Sequence, residues 1–99
     1  MKLTNKQQKY LRAEAQALKP IFQVGKNGVN PNLVTQVRDA LEARELIKIT
    51  ILQNCPEDKG QVAQKLSERS ESTLVQVIGF TIILFKPAKE NSNYMLPEA

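Results

Sequence analysis

The sequence contains no histidine, no tryptophan and a single cysteine, Cys55. One cysteine forms no disulfide within the chain. Without histidine there is neither a common zinc ligand nor the usual base that activates a thiol or hydroxyl. Cys55 therefore reads as an ordinary loop or strand-end thiol, and a reducing compartment fits the chain. Carboxylate pairs are scarce too. Glu42 with Glu45, and Glu68 with Glu71, stand three apart, and both pairs read as solvated surface. No metal, no cofactor and no enzyme activity is expected. The longest apolar stretch, VIGFTIILF, is too short to cross a bilayer and is broken by Gly79 and Thr81. Residues 1–20 hold no apolar segment of the signal-peptide kind, so a cytoplasmic location is expected. Three phenylalanines and two tyrosines are too few and too scattered for an RNA-recognition sheet built on base stacking.

What is present is an ordinary apolar share with mixed charge, over 99 residues, which predicts one domain, read as monomeric. The net charge of +4 is unevenly placed. Residues 1–30 carry Lys2, Lys6, Lys9, Arg12, Lys19 and Lys26 against Glu14 alone. Residues 51–99 carry five cations and six anions. A basic end opposite a neutral one fits an oriented contact with a polyanion. Simple solubilisation by lysines fits it equally.

Thr4 with Gln7 is a capping-box pattern, predicting a helix from about residue 4 to Ala17. Leu3, Tyr10, Leu11, Ala17 and Leu18 gather on its apolar side, and Lys2, Lys6, Lys9 and Arg12 on the other. Lys19-Pro20 stops it. Ile21 to Val24 reads as a strand. Asn30 is a good N-cap and Pro31 a good first residue for a second helix, reaching Arg44 with Leu33, Val34, Val37, Ala40 and Leu41 as its stripe. Leu46 to Leu52 is a strand whose Ile47, Ile49 and Ile51 alternate with Lys48 and Thr50, predicting one buried and one partly wet sheet face. Lys48 reads as a solvated edge lysine. A third helix spans roughly 58–70. Strands Leu74 to Ile78 and Thr81 to Phe85 flank a Gly79-Phe80 turn. Phe80 either stacks on a base or packs under the tail. The order α-β-α-β-α-β-β predicts an α/β domain with a mixed four-stranded sheet over residues 1–87. Residues 88–99 read as a loosely held tail.

The motif that stands out is VGKNGVNPNL, Val24 to Leu33. A strand, then Gly25-Lys26-Asn27-Gly28, then a helix N-terminus is an anion-binding arrangement. The first helical N–H groups lack intrahelical partners, and the helix dipole puts partial positive charge there. Glycines permit positive φ and leave no side chain to hold a phosphate away. A tight turn with no ligand uses the same residues. The spacing is neither a Walker A loop nor a dinucleotide fingerprint. It is nearest to the GXXG loop that clamps RNA backbone in KH modules. A carboxylate at Gly28 is expected to block RNA while leaving the fold intact. Lys6, Lys9 and Arg12 are candidates for a second RNA contact. For Arg38, RNA contact and plain solvation remain open.

Three stretches, LTNKQQKYLRAEAQALKPIFQVGKNGV, VRDALEARELIKI and VQVIGFTIILFKP, together resemble the YhbY family, the stand-alone bacterial form of the CRM (chloroplast RNA splicing and ribosome maturation) domain. The resemblance spans Leu3 to Pro87. It implies the same α-β-α-β-α-β-β fold, similar to the C-terminal domain of translation initiation factor three. It also implies RNA binding, in bacteria to precursors of the large ribosomal subunit and in plants in intron splicing. The family's loop falls on Gly25, Lys26, Asn27 and Gly28, and its basic helix on Lys6, Lys9 and Arg12, followed by Leu18-Lys19-Pro20. Phe80 departs from the pattern, standing where relatives often carry a basic residue. Other partners remain open: RNA as a general chaperone's substrate, or a protein docked on the free sheet face.

Overall fold

Helix α1 (Asn5–Ala15) begins where the capping pattern places it. Thr4 Oγ1 accepts from the Gln7 N–H at 3.2 Å, and Gln7 Oε1 accepts from the Thr4 N–H at 3.1 Å. Such a cap is worth about 1 kcal/mol. The computed structural model describes residues 2–98. It continues with β1 (Phe22–Val24), α2 (Pro31–Arg44), β2 (Leu46–Ile51), α3 (Lys59–Arg69), β3 (Thr73–Ile78) and β4 (Thr81–Phe85), the order expected. Asn30 Oδ1 accepts from the Leu33 N–H at 2.9 Å to cap α2, and Asp58 Oδ2 accepts from the Gly60 N–H at 3.0 Å to cap α3. Helix α1 stops two residues short of Ala17, because the chain tightens into a turn in which the Leu18 N–H donates to the Ala15 carbonyl (3.0 Å). Ala15, fully buried, takes the core position expected of Ala17, which is exposed.

The sheet runs β1-β2-β4-β3, with β1 parallel to β2 and both other pairings antiparallel. Strand β4 thus slots between β2 and β3, which run parallel to each other on either side of it. Its sequence explains the central place: Ile82 and Leu84 are buried on one face, Ile83 and Phe85 on the other. A strand that is apolar on both sides is stable only when covered on both sides.

Both faces are covered. Helices α2 and α3 bring Val37, Leu41, Val62 and Leu66 onto Ile47, Ile49, Ile82 and Leu84. On the opposite face Leu11 and Ala15 of α1 meet Leu46, Val75, Ile83 and Phe85, with Tyr10, Leu18, Tyr94 and Leu96 partly buried around them. The expected half-wet face is therefore mostly occupied. Lys48 is no edge lysine, since β2 lies inside the sheet and the Lys48 ammonium donates to the Leu18 carbonyl at 3.2 Å. That bond ties the end of the α1 turn down.

Residues 86–98 form no helix or strand but are held at several points. Glu45, which the sequence places on the solvated surface, is buried and stands at the α2 C-cap with φ +66°. Its carboxylate accepts from the Ala88 N–H (3.0 Å), the Asn93 N–H (2.8 Å) and the Ser92 hydroxyl. Burial pushes this carboxyl up, and the donors more than offset that, holding it below its ordinary value. Further along, Tyr94 meets Phe85 edge-on at 6.0 Å and the Gln7 amide donates to the Pro97 carbonyl at 3.0 Å. Only contacts made after folding distinguish this segment from the loosely held tail that its composition predicts.

Candidate nucleic-acid interface

Strands β1 and β2 point the same way and β4 points back, so three connections share one end of the sheet: the Gly25–Gly28 loop, residues 52–58 after β2, and the Gly79-Phe80 turn. The Gly28 N–H donates to the Gly25 carbonyl at 2.9 Å, closing a tight turn with Lys26 and Asn27 at its exposed tip. Gly28 has φ +61°, which side-chain-bearing residues rarely adopt. Gly25 has no positive φ.

The turn is braced from outside the motif. Glu57 Oε1 accepts from the Val29 N–H at 3.3 Å, and Glu57 Oε2 pairs with Lys65. A Cβ on Gly28 would stand 2.6 Å from Glu57 Oε1. The Lys65 ammonium, and then the Val29 N–H, hold the Glu57 carboxyl below its ordinary value. Gly28 is consequently buried against a carboxylate on one side, while it still lines the crevice beside the turn. A glutamate there would collide with Glu57 and strain the backbone, contrary to the expectation that the fold would be untouched. Gly25 differs: an added methyl would meet only Asn54 Oδ1 and Leu52 Cδ1, each at 3.5 Å.

Beside the turn lies an open crevice of about 560 Å³, lined by Gly25, Lys26, Asn27 and Gly28 of the turn, by Gln23 and Asn54, and by Asn30, Asn32, Leu33 and Gln36 at the start of α2. No acidic side chain lines it. Amides that both donate and accept, a lysine and the start of a 14-residue helix face one space. The Asn30 caps satisfy the Leu33 and Val34 N–H groups, while the Asn32 N–H has no hydrogen-bond acceptor among the described residues. Asn32 and Gln36 were within reach of sequence reasoning, lying two and six residues past the cap. Gln23 and Asn54 join only through the pairing of β1 with β2.

The other candidate residues divide. Lys6 and Lys9 are exposed on α1. Arg12 is half-buried, its Nη1 donating to Gln76 Oε1 on β3 at 3.0 Å, and the Gln8 amide donates to the Val75 carbonyl. These bonds seat α1 over β3 and leave a strip of its sheet face uncovered near the loops. There the register aligns Gln23, Thr50, Thr81 and Ile78 in one row across all four strands. Lys19 is exposed where β1 enters the sheet, at the far end of that strand from the loop, in a crevice with Arg44 and Tyr94. Arg38 pairs with Glu71 at 3.6 Å, beyond the C-terminal end of α3. Lys19 and Arg38 thus stand apart from the loop. The ion pairs among the described residues engage Arg38, Lys65 and Lys86, and none engages Lys6, Lys9 or Lys26. Among those residues there is also no cluster of three His, Cys, Asp or Glu side chains placed to hold a metal. No helix there is long and apolar enough to cross a membrane.

The chain is similar to known proteins along nearly its whole length. The chain is 58% identical over 95 residues to the probable RNA-binding protein YqeI of Bacillus subtilis, covering 96% of this chain and 99% of that one. It is 35% identical over 96 residues to the probable RNA-binding protein MJ0652 of Methanocaldococcus jannaschii, covering 95% and 71%. The solution structure of SAV1595 from Staphylococcus aureus matches with a TM-score of 0.82 at 50% identity, over 97% of this chain and all of that one. The model of the CRS1 / YhbY (CRM) domain matches residues 3–86, nearly the whole chain, and the protein belongs to that family.

Proposed function

We propose that this protein binds RNA and that the Gly25–Gly28 loop grips its phosphate backbone. The single observation that carries the reading is the crevice at the start of α2, lined by a lysine and several amides with no acidic side chain on the wall. A phosphate meets donors and positive potential there, whatever its base. Membership of a family whose relatives are described as RNA-binding supports the same ligand. Lys26 and Asn27 contact the backbone from the tip, and Lys6, Lys9 and Arg12 on α1 add an electrostatic contact. Lys19 and Arg38 stand apart from the loop, and any phosphate they meet is a separate contact from the one the loop makes.

The RNA in this reading is ribosomal RNA of an assembling large subunit, met in the cytoplasm by a monomer. The protein acts by binding, with no covalent chemistry. A protein partner on the sheet is less well supported, since α1 and the tail cover most of the face it would need.

Salt dependence tests the loop. If about four to six phosphates are neutralised, log affinity for single-stranded RNA falls with log salt at a slope of roughly −3 to −4. Lys26→Ala lessens that slope by about 0.7. A wild-type slope near zero removes the electrostatic basis. Crosslinking in cells, followed by sequencing of the attached RNA, tests the ribosomal assignment. Recovery dominated by messenger or transfer RNA would refute it.

A further inference from the structure

The loop end of the sheet carries a feature that phosphate binding leaves unused. Phe80 is 55% exposed at the tip of the β3–β4 hairpin, and Ile78 beside it is 48% exposed. A single exposed apolar side chain is ordinary; what sets Phe80 apart is its place at the loop end of the sheet, where a stacked partner would bury it with a gain of about 1.5–3 kcal/mol. The position is rigid. Gly79 supplies the turn with φ +58°, and the Phe80 carbonyl accepts from the Ile51 N–H at 2.7 Å, tying the tip to β2. The tail does not cover Phe80: its anchors, Glu45 and Phe85, lie at the other end of β2 and β4.

The surroundings narrow what could sit on the ring. The Lys59 ammonium stands 5.3 Å from the ring centroid. The nearby acids are already engaged, Asp58 by the Gly60 N–H and Glu57 by Lys65 and the Val29 N–H. Strand β4 lies two places from β1, so Phe80 is about 10 Å across the sheet from the Gly25–Gly28 loop, by the ordinary strand spacing. On its own face Phe80 lines a crevice with Ile51, Leu52, Gln53 and Lys59, while the row of Gln23, Thr50 and Thr81 lies on the opposite face of the sheet. Phosphate donors and an aromatic ring beside a cation thus share the loop end of the sheet.

We propose that Phe80 is a stacking platform for one unpaired base of the RNA whose backbone rests on the Gly25–Gly28 loop, with Lys59 on the adjoining phosphate. The proposal rests on the RNA-binding reading and adds to it a substrate class: RNA with an unpaired strand or bulge crossing the sheet end. A base inside a regular duplex is stacked on its neighbours and offers no free face.

The chain has no tryptophan, so Phe80→Trp introduces a single fluorescent reporter at the site. Short oligoadenylate and a blunt RNA duplex are the probes, with circular dichroism confirming the fold of each variant. Oligoadenylate is expected to quench the indole strongly, and the duplex is not. Phe80→Ala is expected to lose roughly fivefold or more in affinity for oligoadenylate with its salt slope unchanged, while Phe80→Tyr keeps near-wild-type affinity. If Phe80→Ala binds oligoadenylate like wild type while Lys26→Ala still weakens it, stacking is wrong and the loop reading stands. Equal quenching by the duplex also overturns the unpaired-base assignment. If wild type binds neither RNA, the RNA reading itself has failed. Loss of a co-purifying protein on Phe80→Ala would then make the tip a protein-docking site.

Discussion

The two ends of the sheet treat their backbone donors in opposite ways. Each end has one carboxylate that the fold brings in from a distance. At the tail end, Glu45 is buried and satisfied by three donors from residues 88–93, leaving that corner closed. At the loop end, Glu57 takes one N–H, that of Val29, and is itself neutralised by Lys65. The crevice beyond it is lined by amides and Lys26, and the Asn32 N–H at its edge has no acceptor among the described residues. The difference teaches how a small fold separates stability from recognition. The protein supplies its own anion where it needs closure, and braces the turn without filling the crevice where it needs a ligand.

The largest expected effect that tests this contrast comes from Gly28→Ala. Left-handed backbone costs a non-glycine residue about 1–3 kcal/mol, and the new Cβ also displaces Glu57. Denaturant titration should show a loss of about 3 kcal/mol, with RNA affinity falling as well. Undiminished stability would mean that neither the positive φ of Gly28 nor its contact with Glu57 constrains the turn. Next comes Glu45→Ala. Removing the acceptor leaves tail donors unpaired and should cost about 2 kcal/mol. Limited proteolysis should then cut within residues 88–96, and RNA affinity of the folded protein should be unchanged. If affinity falls in step with stability, the two ends are coupled and the contrast fails.

Acid should weaken both braces. Each carboxyl is held below its unfolded value, so the unfolded chain binds more protons as the pH drops, and stability falls with it. The stabilisation is present above about pH 4.5 and is lost as the pH passes down through the lower folded values. Glu57→Gln should flatten part of that acid decline and slow none of it at the tail. An unchanged acid profile would show that the Glu57 charge contributes nothing. The smallest effect on the fold belongs to Gly25→Ala. Its φ is ordinary and its methyl meets neighbours at 3.5 Å, so stability should rise slightly, by about 0.5 kcal/mol. RNA affinity should nevertheless drop if phosphate approaches that backbone closely. Stability and affinity moving in opposite directions would separate the roles of the two glycines. Retained affinity would leave Gly25 as turn geometry only.

Much of the molecule was legible from short-range chemistry. Thr4 and Gln7, or Asn30 and Pro31, mark helix starts because the partners of a cap lie within a few residues. The alternation of Ile47, Ile49 and Ile51 marks β2 because side chains on a strand alternate between faces. The Gly25–Gly28 loop was legible because strand, turn and helix cap follow one another without a gap. Tertiary structure alone decided that β4 would sit between β2 and β3, since only pairing sets strand order. It alone brought Glu57 to Val29, 28 residues away, and Glu45 to Asn93, 48 residues away. It also turned Phe80 outward beside Lys59 instead of under the tail. No local feature separates the buried Glu45 from the solvated Glu42 three residues before it; what separates them is whether the folded chain delivers donors to the carboxylate, and that depends on contacts no local window contains.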